Sequence, residues 1–397
     1  MNRLIESTKR IRIRDICSPM IFVALVIPSL VLRLANLIKG RKLWLVAEDG
    51  EARDNGYHFY KYIRTNHAKD YCFYAVKKSS PSYTKVEKLG NIVEWGSLRH
   101  WLLYMSANLN ISSQKGGNPC PIFWYVVHVT LGLYKNRVFL QHGITKDDSE
   151  WLYYKNTKFK YFVCGAKREY DYILKRFGYG QDGLLLTGFP RWDSLKDVSK
   201  TEKQKAILVM PTWRNWLGGE RNKLFESDNI KSTCFYKNWS SLLNNKVFID
   251  YLEKNNILVY FFPHINMMNY INDFQAISKN IIIVTKDIDM QHLFNKCSLM
   301  LTDYSSVAFD FAYLGKPVVY YQFDYEEYRK RQYREGYFSY RNDGFGPIAY
   351  TEDEVLDAII SIGKHEAEYE KRFDNFFLVK KSENCKRLYE ALIRGKK

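Results

Sequence analysis

The chain has 397 residues, which is long for one ordinary hydrophobic core and indicates two domains. Hydrophobic residues make up 46% of it and aromatic residues 16%, which excludes a chain that is disordered anywhere but at its ends. Lys and Arg number 60 against 43 Asp and Glu, a formal net charge of +17, so we expect a polyanionic partner: nucleic acid, an acidic membrane surface or phosphorylated substrates.

The first 42 residues predict a membrane-association segment. Five Lys and Arg side chains lie within the first 14 residues, and an apolar stretch runs from Ser18 to Lys42. No small-residue cleavage site follows, so a signal peptide is disfavoured. Pro28 and Arg33 interrupt a run that needs roughly 20 apolar residues to span a bilayer. We therefore favour a helix lying in the membrane interface over a true span or a buried core helix.

Residues 43–193 predict an α/β domain, because short apolar runs alternate with segments of helical spacing. The predicted strands are Lys42–Glu48, Tyr71–Val76, Asn91–Trp95, Val138–Gln141 and Lys160–Cys164, and the predicted helices are Gly56–Thr65, Ser97–Leu109 and Arg168–Phe177. The polar stretch Ser194–Lys205 is the predicted linker.

Residues 206–350 predict a second α/β domain, followed by C-terminal helices over 351–397. Strands are predicted at Ala206–Met210, Ile257–Phe262, Ile281–Thr285, Leu299–Thr302 and Pro317–Tyr321, with helices at Trp239–Lys254, Asn269–Ser278, Met290–Cys297, Ser306–Leu314 and Glu352–His365. Strands joined by helical crossovers indicate a parallel, doubly wound sheet. Two such Rossmann-type domains facing across a cleft would be the GT-B architecture, an analogy that fixes no substrate.

The seven cysteines are scattered along the chain without a CxxC pair. Their odd number argues against a disulfide framework, and Cys164 and Cys297 lie in apolar runs typical of a core. We therefore predict a reducing, cytosolic compartment.

Three strand ends of the second domain carry polar clusters, and ligands of open parallel sheets bind beyond such ends. The clusters are Pro211–Arg214, Pro263–His264 and Thr302–Ser306. Ser305 and Ser306 fall where a helix begins, and backbone N–H groups there favour an anion. The alternative for Ser305 is a simple helix cap. With Arg214 and His264 predicted nearby, the cluster predicts a site for a nucleotide-linked phosphate, with donor-side candidates Arg214, Thr302, Asp303, Ser305 and Ser306.

Two further candidates come from the first domain. His142 follows a predicted strand, where an imidazole is suited to be a general base, and Gly143 would let a substrate approach the backbone. A buried, hydrogen-bonded histidine is the alternative. Arg191 could pair with a phosphate, and the alternative is an ion pair between the domains.

No metal site or other cofactor is predicted. Asp287 and Asp289 have the spacing of a DxD metal site, but Asp289 also begins a predicted helix, and we favour its role as a helix cap. The histidines show no paired-ligand spacing.

These motifs resemble those of the CDP-glycerol glycerophosphotransferase family, which includes teichoic-acid primases and polymerases. The matching segments are DNGYHFYKYI (54–63), QHG (141–143), GFPRWD (188–193), MPTWR (210–214), FPH (262–264), LTDYSSVAFDFAYLGKPVVYYQFD (301–324) and GFGPI (344–348). The 301–324 block is the most specific, and the similarity covers most of the chain from about residue 43. Many members continue the His-Gly with Thr-Pro-Leu-Lys where this chain has Ile144–Asp147, which leaves the acceptor open.

The resemblance implies a mechanism that needs no metal. His142 would deprotonate an acceptor hydroxyl, which attacks the glycerol-bearing phosphorus of CDP-glycerol and releases CMP. His264 would be the second catalytic side chain, and Arg191, Arg214 and the serines would neutralise the diphosphate. Asn55 and Gly143 would lie on the acceptor side.

The same resemblance implies partners and a location. The acceptor would be an undecaprenyl-diphosphate-linked saccharide at the cytoplasmic face of the cell membrane, where anionic lipids attract a basic N-terminus. The product would belong to a teichoic acid or a related surface polymer such as a capsule. Membrane association would be peripheral or monotopic.

Several alternatives stay open at this level. A CDP-ribitol-using ribitol-phosphate transferase carries the same motifs, and a GT-B sugar transferase with a UDP-sugar donor would release UDP rather than CMP. Nucleic-acid binding is disfavoured, because zinc spacing, an RNA-binding aromatic motif and a helix-turn-helix signature are missing from the sequence. A non-catalytic membrane scaffold is also disfavoured, because it would not explain the polar clusters at the strand ends.

Overall fold

The structure, a computed structural model, describes residues 13–217, 230–284, 289–377 and 382–395. The chain divides into two compact units. The first contains the described residues up to His142, the segment Glu150–Ser194 and the helix at the C-terminus. The second contains Gly143–Ser149 and the described residues from Leu195 to Phe377.

The first unit is built on a seven-stranded parallel sheet. Its strands are β1 Trp44–Ala47, β2 Cys72–Val76, β3 Ile92–Glu94, β4 Leu109–Ser112, β5 Arg137–Phe139, β6 Tyr161–Cys164 and β7 Leu184–Leu186. They are arranged in the order β3-β2-β1-β4-β5-β6-β7, and every pair is parallel. The order reverses between β1 and β4, which is where open sheets of this kind bind ligands.

Helices alternate with these strands along the chain, and two further helices lie at the ends of the unit's sequence. They are Ile13–Ile38, Asn55–Asn66, Tyr83–Glu87, Leu98–Ser106, Pro121–Tyr125, Tyr154–Thr157, Lys167–Arg176 and Asn384–Arg394, with a π-helical turn at Val126–Thr130 and 3₁₀ turns at Glu150–Leu152, Gln181–Gly183 and Pro190–Ser194. The strands are buried almost throughout, as expected for a parallel sheet covered by helices.

The second unit is built on a six-stranded parallel sheet. Its strands are β8 Ala206–Met210, β9 Leu258–Phe261, β10 Ile281–Ile283, β11 Leu299–Thr302, β12 Val318–Tyr321 and β13 Ile348–Ala349, in the order β10-β9-β8-β11-β12-β13. The helices are Cys234–Asn244, Lys246–Lys254, Met290–Lys296, Val307–Tyr313, Tyr325–Arg331, Tyr340–Asp343, Glu352–Ser361 and Glu366–Phe376, with 3₁₀ turns at Asn215–Leu217, Ile230–Ser232, Ile265–Asp273 and Ile362–His365.

These two parallel sheets confirm the predicted fold class of two doubly wound α/β domains. Three strands were not predicted: β4, β7 and β13. The predicted helix Ser97–Leu109 ends at Ser106, because the chain turns there into β4. The predicted helix Trp239–Lys254 is two helices that meet at Asn245, whose side chain caps the second. The predicted helix Asn269–Ser278 is replaced by the 3₁₀ segment Ile265–Asp273.

The segment Gly143–Ser149 belongs to the second unit, although the sequence assigned it to a first domain over 43–193. The contacts of Asp147 explain why the segment belongs to the second unit. Its carboxylate pairs with the neighbouring Lys146 and with Arg329, 2.6 Å from Arg329 Nη1. Burial alone would raise the pKa of Asp147, but these two cations hold it below its usual value. All three groups are largely withdrawn from solvent, so the network fixes the segment within that unit.

The predicted C-terminal segment 351–397 is divided between the units. Its last helix joins the first unit because the Asp193 carboxylate caps it, with Oδ1 accepting from the Asn384 N–H and Oδ2 from the Cys385 N–H, both at 2.8 Å. Gly188 has a φ of +77°, and a Cβ there would lie 1.9 Å from Asn384 Oδ1. The GFPRWD motif therefore has a packing role at this helix.

The apolar N-terminal stretch forms one helix, Ile13–Ile38, that continues through Pro28 and Arg33. Residues Ile16–Ile38 are long and apolar enough to cross a membrane, by length and composition. One side of the helix packs on the first unit, where the Phe22 ring lies 5.4 Å from that of Phe123. The opposite side exposes Ile16, Met20, Val23, Ile27, Leu30, Val31, Leu34, Leu37 and Ile38. The basic side chains of residues 1–12 lie outside the described residues, as do residues 218–229.

Candidate active site

Polar residues follow the strands of the first unit at the point where the strand order reverses. Glu48 comes directly after β1, Ser113 after β4, and Gln141 and His142 shortly after β5. The carboxyl ends of parallel strands share one edge of a sheet, so these side chains lie at the same edge. The hydrogen bonds among them define the environment of His142.

His142 is exposed, and its ring is oriented by the backbone. Nδ1 lies 3.3 Å from the Ser113 carbonyl oxygen, which can only accept a hydrogen bond. The proton of the neutral ring is therefore on Nδ1, and Nε2 carries the lone pair. A histidine held in this tautomer is suited to take a proton from a hydroxyl.

The turn before His142 is strained. Gln141 has a φ of +60°, which is uncommon for a residue with a side chain and is found often at functional sites. Its side-chain amide donates to the Val163 carbonyl at 2.6 Å and to the Glu169 carboxylate at 3.0 Å. These buried bonds over-determine the turn and offset the strain.

Asn55 supports the same turn from the first helix turn that follows β1. Its Nδ2 donates to the Gln141 carbonyl at 2.8 Å and to the Leu140 carbonyl at 3.4 Å. Its Oδ1 accepts from the Arg191 N–H at 3.0 Å. Asn55 is fully buried, so it is a positioning residue for His142 in this structure.

The Glu48 carboxylate binds both Ser113 and the start of helix Asn55–Asn66. Oε1 accepts from the Gly56 N–H at 2.6 Å and from the Ser113 hydroxyl at 2.7 Å, and Oε2 accepts from the Arg53 N–H at 2.9 Å. Burial, together with the charge of Asp54, raises the pKa of the Glu48 carboxyl. The residue that binds His142 is thus itself held by a buried carboxyl group.

Arg191 is buried and pairs within the first unit. Its Nη1 lies 2.5 Å from Asp54 Oδ1, at the start of helix Asn55–Asn66. Both partners of this ion pair belong to one unit, and the alternative of an ion pair between the domains stays a prediction. A contact between Arg191 and a phosphate stays a prediction.

In the second unit, Arg214 is fully buried and bound by two carboxylates. Its guanidinium lies 2.8 Å from Asp303 Oδ2 and makes two bonds to Asp324, at 2.8 and 3.0 Å. Burial alone would lower the pKa of Arg214, but the two carboxylates raise it above its ordinary value. This geometry does not support the prediction of direct phosphate binding by Arg214, because its guanidinium is already bonded to two carboxylates inside the core.

Asp303 and Thr302 hold the sheet edge together. Asp303 Oδ1 accepts from the Thr212 N–H at 2.8 Å and the Tyr304 N–H at 2.6 Å, and the Thr302 hydroxyl donates to the Met210 carbonyl at 2.6 Å. Both side chains are fully buried. Their direct role in donor binding is therefore also unsupported by the geometry, and they fix the ends of β8 and β11 instead.

Ser305 and Ser306 are partly exposed beyond β11. The Ser305 hydroxyl accepts from the Val307 N–H at 3.4 Å, the capping interaction given above as its alternative. Ser306 immediately precedes helix Val307–Tyr313 without a side-chain capping bond. Of the predicted donor-side residues of this unit, these two reach solvent.

His264 follows β9 and is partly exposed. Its Nδ1 accepts from the Asn266 N–H at 3.2 Å, so the proton of the neutral ring is on Nε2. The ring lies 6.1 Å from that of Trp213 in a stacked arrangement. His264 and His142 are therefore held in opposite tautomers, one presenting a donor and the other an acceptor.

Sequence reasoning missed Glu48, Ser113, Gln141 and Asp324. Glu48 could have been found, since it directly follows the apolar run of β1, whereas Ser113 follows β4, in which polar and apolar residues alternate. β4 was not predicted, however, and without it the reversal is invisible. Asp324 closes the most specific sequence block, yet its partner Arg214 is 110 positions away in the chain.

Metal-ligating clusters of three or more His, Cys, Asp or Glu side chains are absent from the described residues. Asp289 caps helix Met290–Lys296 by accepting from the Gln291 N–H at 3.0 Å, as predicted. Asp287 lies outside the described residues.

Comparisons with known proteins agree with these motifs. The family model for CDP-glycerol:poly(glycerophosphate) glycerophosphotransferases matches residues 30–393. The minor teichoic acid biosynthesis protein GgaB of Bacillus subtilis (strain 168) is 33% identical over 370 residues, covering 90% of this chain and 40% of that protein. A teichoic acid poly(glycerol phosphate) polymerase of Bacillus spizizenii (strain ATCC 23059 / NRRL B-14472 / W23) is 26% identical over 225 residues, covering 53% of each chain.

The chain therefore spans less than two thirds of the length of these relatives. Among solved structures, the wall teichoic acid polymerase TagF has a TM-score of 0.61 at 16% identity, covering 92% of this chain and 96% of that one. This likeness supports the fold. The match of the family model over most of the chain establishes the family. The chain belongs to the CDP-glycerol:poly(glycerophosphate) glycerophosphotransferase family.

Proposed function

We propose that this protein transfers glycerol phosphate from CDP-glycerol to a hydroxyl of a membrane lipid-linked saccharide and releases CMP, in the synthesis of teichoic acid or a related surface polymer. The observation that carries the proposal is the exposed His142, held with Nε2 as the acceptor. Membership of the family supports the donor. No metal or other cofactor takes part in the reaction we propose.

The proposed reaction is one in-line displacement at phosphorus. The acceptor hydroxyl gives its proton to His142 Nε2, and its oxygen forms a bond to the glycerol-bearing phosphorus. The bond from that phosphorus to the oxygen of CMP breaks, and the Nε2–H of His264 donates to the leaving phosphate. Positioning and charge stabilisation supply the rate, because the protein forms no covalent bond.

The supporting residues divide into two classes. Ser305 and Ser306 are the side chains that we propose to contact the donor diphosphate, and Arg191 could do so by exchanging its partner Asp54. Arg214, Thr302 and Asp303 act through the backbone that they hold. Asn55 positions His142, and Gly143 follows it at the start of the segment that joins the second unit.

The decisive experiment measures CMP release. Purified wild-type protein is incubated with CDP-glycerol, CDP-ribitol or a UDP-sugar, together with a lipid-linked disaccharide. We expect CMP from CDP-glycerol. CMP from CDP-ribitol alone would establish the ribitol alternative, and UDP from a UDP-sugar would establish the sugar transferase.

His142→Ala tests the proposed base. We expect turnover to fall roughly a hundredfold to ten-thousandfold, the usual contribution of a general base. His365→Ala is the matched control, because His365 is an exposed histidine of the second unit. Unchanged CMP release by His142→Ala would refute the assignment.

We also propose that the helix Ile13–Ile38 lies on the cytoplasmic face of the cell membrane. Its packed side contacts the first unit while its apolar opposite side is exposed, the division expected of a monotopic helix. The double substitution Val23→Glu with Ile27→Glu should abolish flotation with anionic vesicles. Ile277→Glu is the control, since Ile277 is an exposed apolar residue of the second unit, and unchanged flotation of the double variant would refute this arrangement.

A further inference from the structure

A lysine lies on the loop that orients His142. The loop follows β4 and has the sequence Ser-Gln-Lys-Gly-Gly over 113–117. Ser113 provides the carbonyl that binds His142, and Lys115 comes two residues later. At no more than about 3.6 Å per residue, the Cα atoms of Ser113 and Lys115 are within roughly 7 Å of each other.

Two aromatic side chains flank the Lys115 ammonium. Nζ donates to the Trp151 carbonyl at 3.0 Å and lies 5.9 Å from the centre of the Trp151 ring. It lies 5.8 Å from the centre of the Tyr125 ring. Both rings are partly exposed, Trp151 at 40% and Tyr125 at 46%. Exposed Trp and Tyr rings around a basic side chain are typical of the headgroup level of a membrane.

A second cation lies behind Lys115 and is buried. The Arg137 guanidinium donates to the Thr157 carbonyl at 3.1 Å and to the Lys115 carbonyl at 2.9 Å. Burial, and then the charge of Arg137, lowers the pKa of the Lys115 amine. The two groups therefore form one concentration of positive charge.

The described residues supply no carboxylate partner to either Lys115 or Arg137. Asp49, which lies shortly after β1, accepts through Oδ1 from the Gly117 N–H at 3.1 Å and so holds the loop backbone. Both cations donate to carbonyl oxygens, but a carbonyl carries no full negative charge, and two such neighbouring cations without a carboxylate are suited to an anionic ligand.

An exposed apolar surface begins beside this charge. Ile122, Val126, Leu131 and Leu133 are between 41% and 59% exposed, and all lie on or just after the helix that carries Tyr125. The neighbouring Phe123 and Trp124 rings pack against Phe22 of the exposed apolar helix. Lys115 is thus placed between an apolar surface suited to lipid and the loop residue that orients His142.

We propose that Lys115, with Arg137 behind it, binds the phosphate groups that join the lipid of the acceptor to its saccharide. The inference rests on the proposed function and adds an acceptor subsite to it. The ligand is a diphosphate at the membrane surface. A bound diphosphate here would keep the saccharide hydroxyl near His142 Nε2, and the saccharide would extend from the lipid toward that atom.

Steady-state kinetics of Lys115→Ala test the subsite. The full chain is assayed with CDP-glycerol and two acceptors: a disaccharide on a lipid diphosphate, and the same disaccharide as an alkyl glycoside without phosphate. We expect KM for the diphosphate acceptor to rise roughly tenfold to a hundredfold, the effect of losing a hydrogen bond to a charged group. KM for CDP-glycerol and turnover with the alkyl glycoside should stay unchanged. Lys115→Arg should keep most of the activity, and the exposed Lys135→Ala is the matched control.

Three outcomes would overturn the subsite: an unchanged KM for the diphosphate acceptor, an equal loss with both acceptors, or a loss confined to vesicles of anionic phospholipid. The last would mean that Lys115 binds bulk lipid headgroups. Calorimetric binding of inorganic pyrophosphate to wild type and to Lys115→Ala provides a readout independent of turnover. Absence of CMP release by the wild type would refute the proposed function, whereas pyrophosphate binding that is equal in both proteins would refute the subsite alone.

Discussion

Replacing Asn55 by alanine should cost both stability and turnover. The side chain is fully buried and makes two good hydrogen bonds, to the Gln141 carbonyl at 2.8 Å and from the Arg191 N–H at 3.0 Å. The bond to the Leu140 carbonyl is long, at 3.4 Å, and we discount it. Each of the two buried backbone groups left without its partner costs about 1–3 kcal/mol, so Asn55→Ala should lower the free energy of unfolding by roughly 2–6 kcal/mol.

Turnover should fall for a separate reason. The Gln141 turn at positive φ loses its support, and the ring of His142 moves with it. A displacement of about 1 Å can reduce turnover by roughly a hundredfold. Urea unfolding measures the first effect, and CMP release at saturating CDP-glycerol measures the second.

Two matched variants make the test specific. Asn55→Asp keeps the acceptor for the Arg191 N–H but turns a carboxylate oxygen toward the Gln141 carbonyl, so it should lose as much turnover as Asn55→Ala. Asn66→Ala removes an exposed asparagine from the other end of the same helix and should change stability by less than about 0.5 kcal/mol. Loss of stability in Asn55→Ala with full turnover would show that Asn55 does not position His142.

Two further predictions concern buried charge and acid stability. Arg214→Met should lower the free energy of unfolding by about 3–5 kcal/mol, because it strands two buried carboxylates, and adding Asp324→Asn should recover part of the loss; urea unfolding that matches wild type would contradict the structural role of Arg214. Burial lowers the pKa of His58 to about 4 and of His100 and His128 to about 3, from an ordinary 6.5. These three rings stay neutral in the folded first unit but are protonated in the unfolded chain below about pH 6.5, so stability should be lost as the pH falls, at up to about 4 kcal/mol per pH unit near pH 5. Equal unfolding midpoints at about pH 7 and pH 5 would refute this sign.

The fold could be predicted largely because parallel strands that are buried on both faces consist of short runs of apolar residues. Ala206–Met210 and Leu299–Thr302 are such runs, and both are strands within one residue of the prediction. β4 was not predicted because its sequence, Leu-Asn-Ile-Ser, alternates polar with apolar residues and directly follows a helix. β13 has two residues and no readable pattern.

The sequence predicted where the candidate site residues lie better than it predicted what each of them does. Strand ends followed by His142, His264 and the two serines can be read from the sequence, since each comes after an apolar run. The burial of Arg214 could not be read, because the residue that encloses it, Asp324, comes from a distant part of the chain. The tautomers of the two histidines depend on backbone atoms of Ser113 and Asn266, which carry no sequence signal.

The ion network of Asp147 has a consequence for protein engineering. The four residues that depart from the common family pattern, Ile144–Asp147, include two members of this network, and the third is Arg329. A chimera that grafts a relative's loop after Gly143 would remove the carboxylate and leave Arg329 inside the second unit without it. The loop and position 329 therefore have to be exchanged together. A library that varies the loop alone would consist mostly of destabilised proteins.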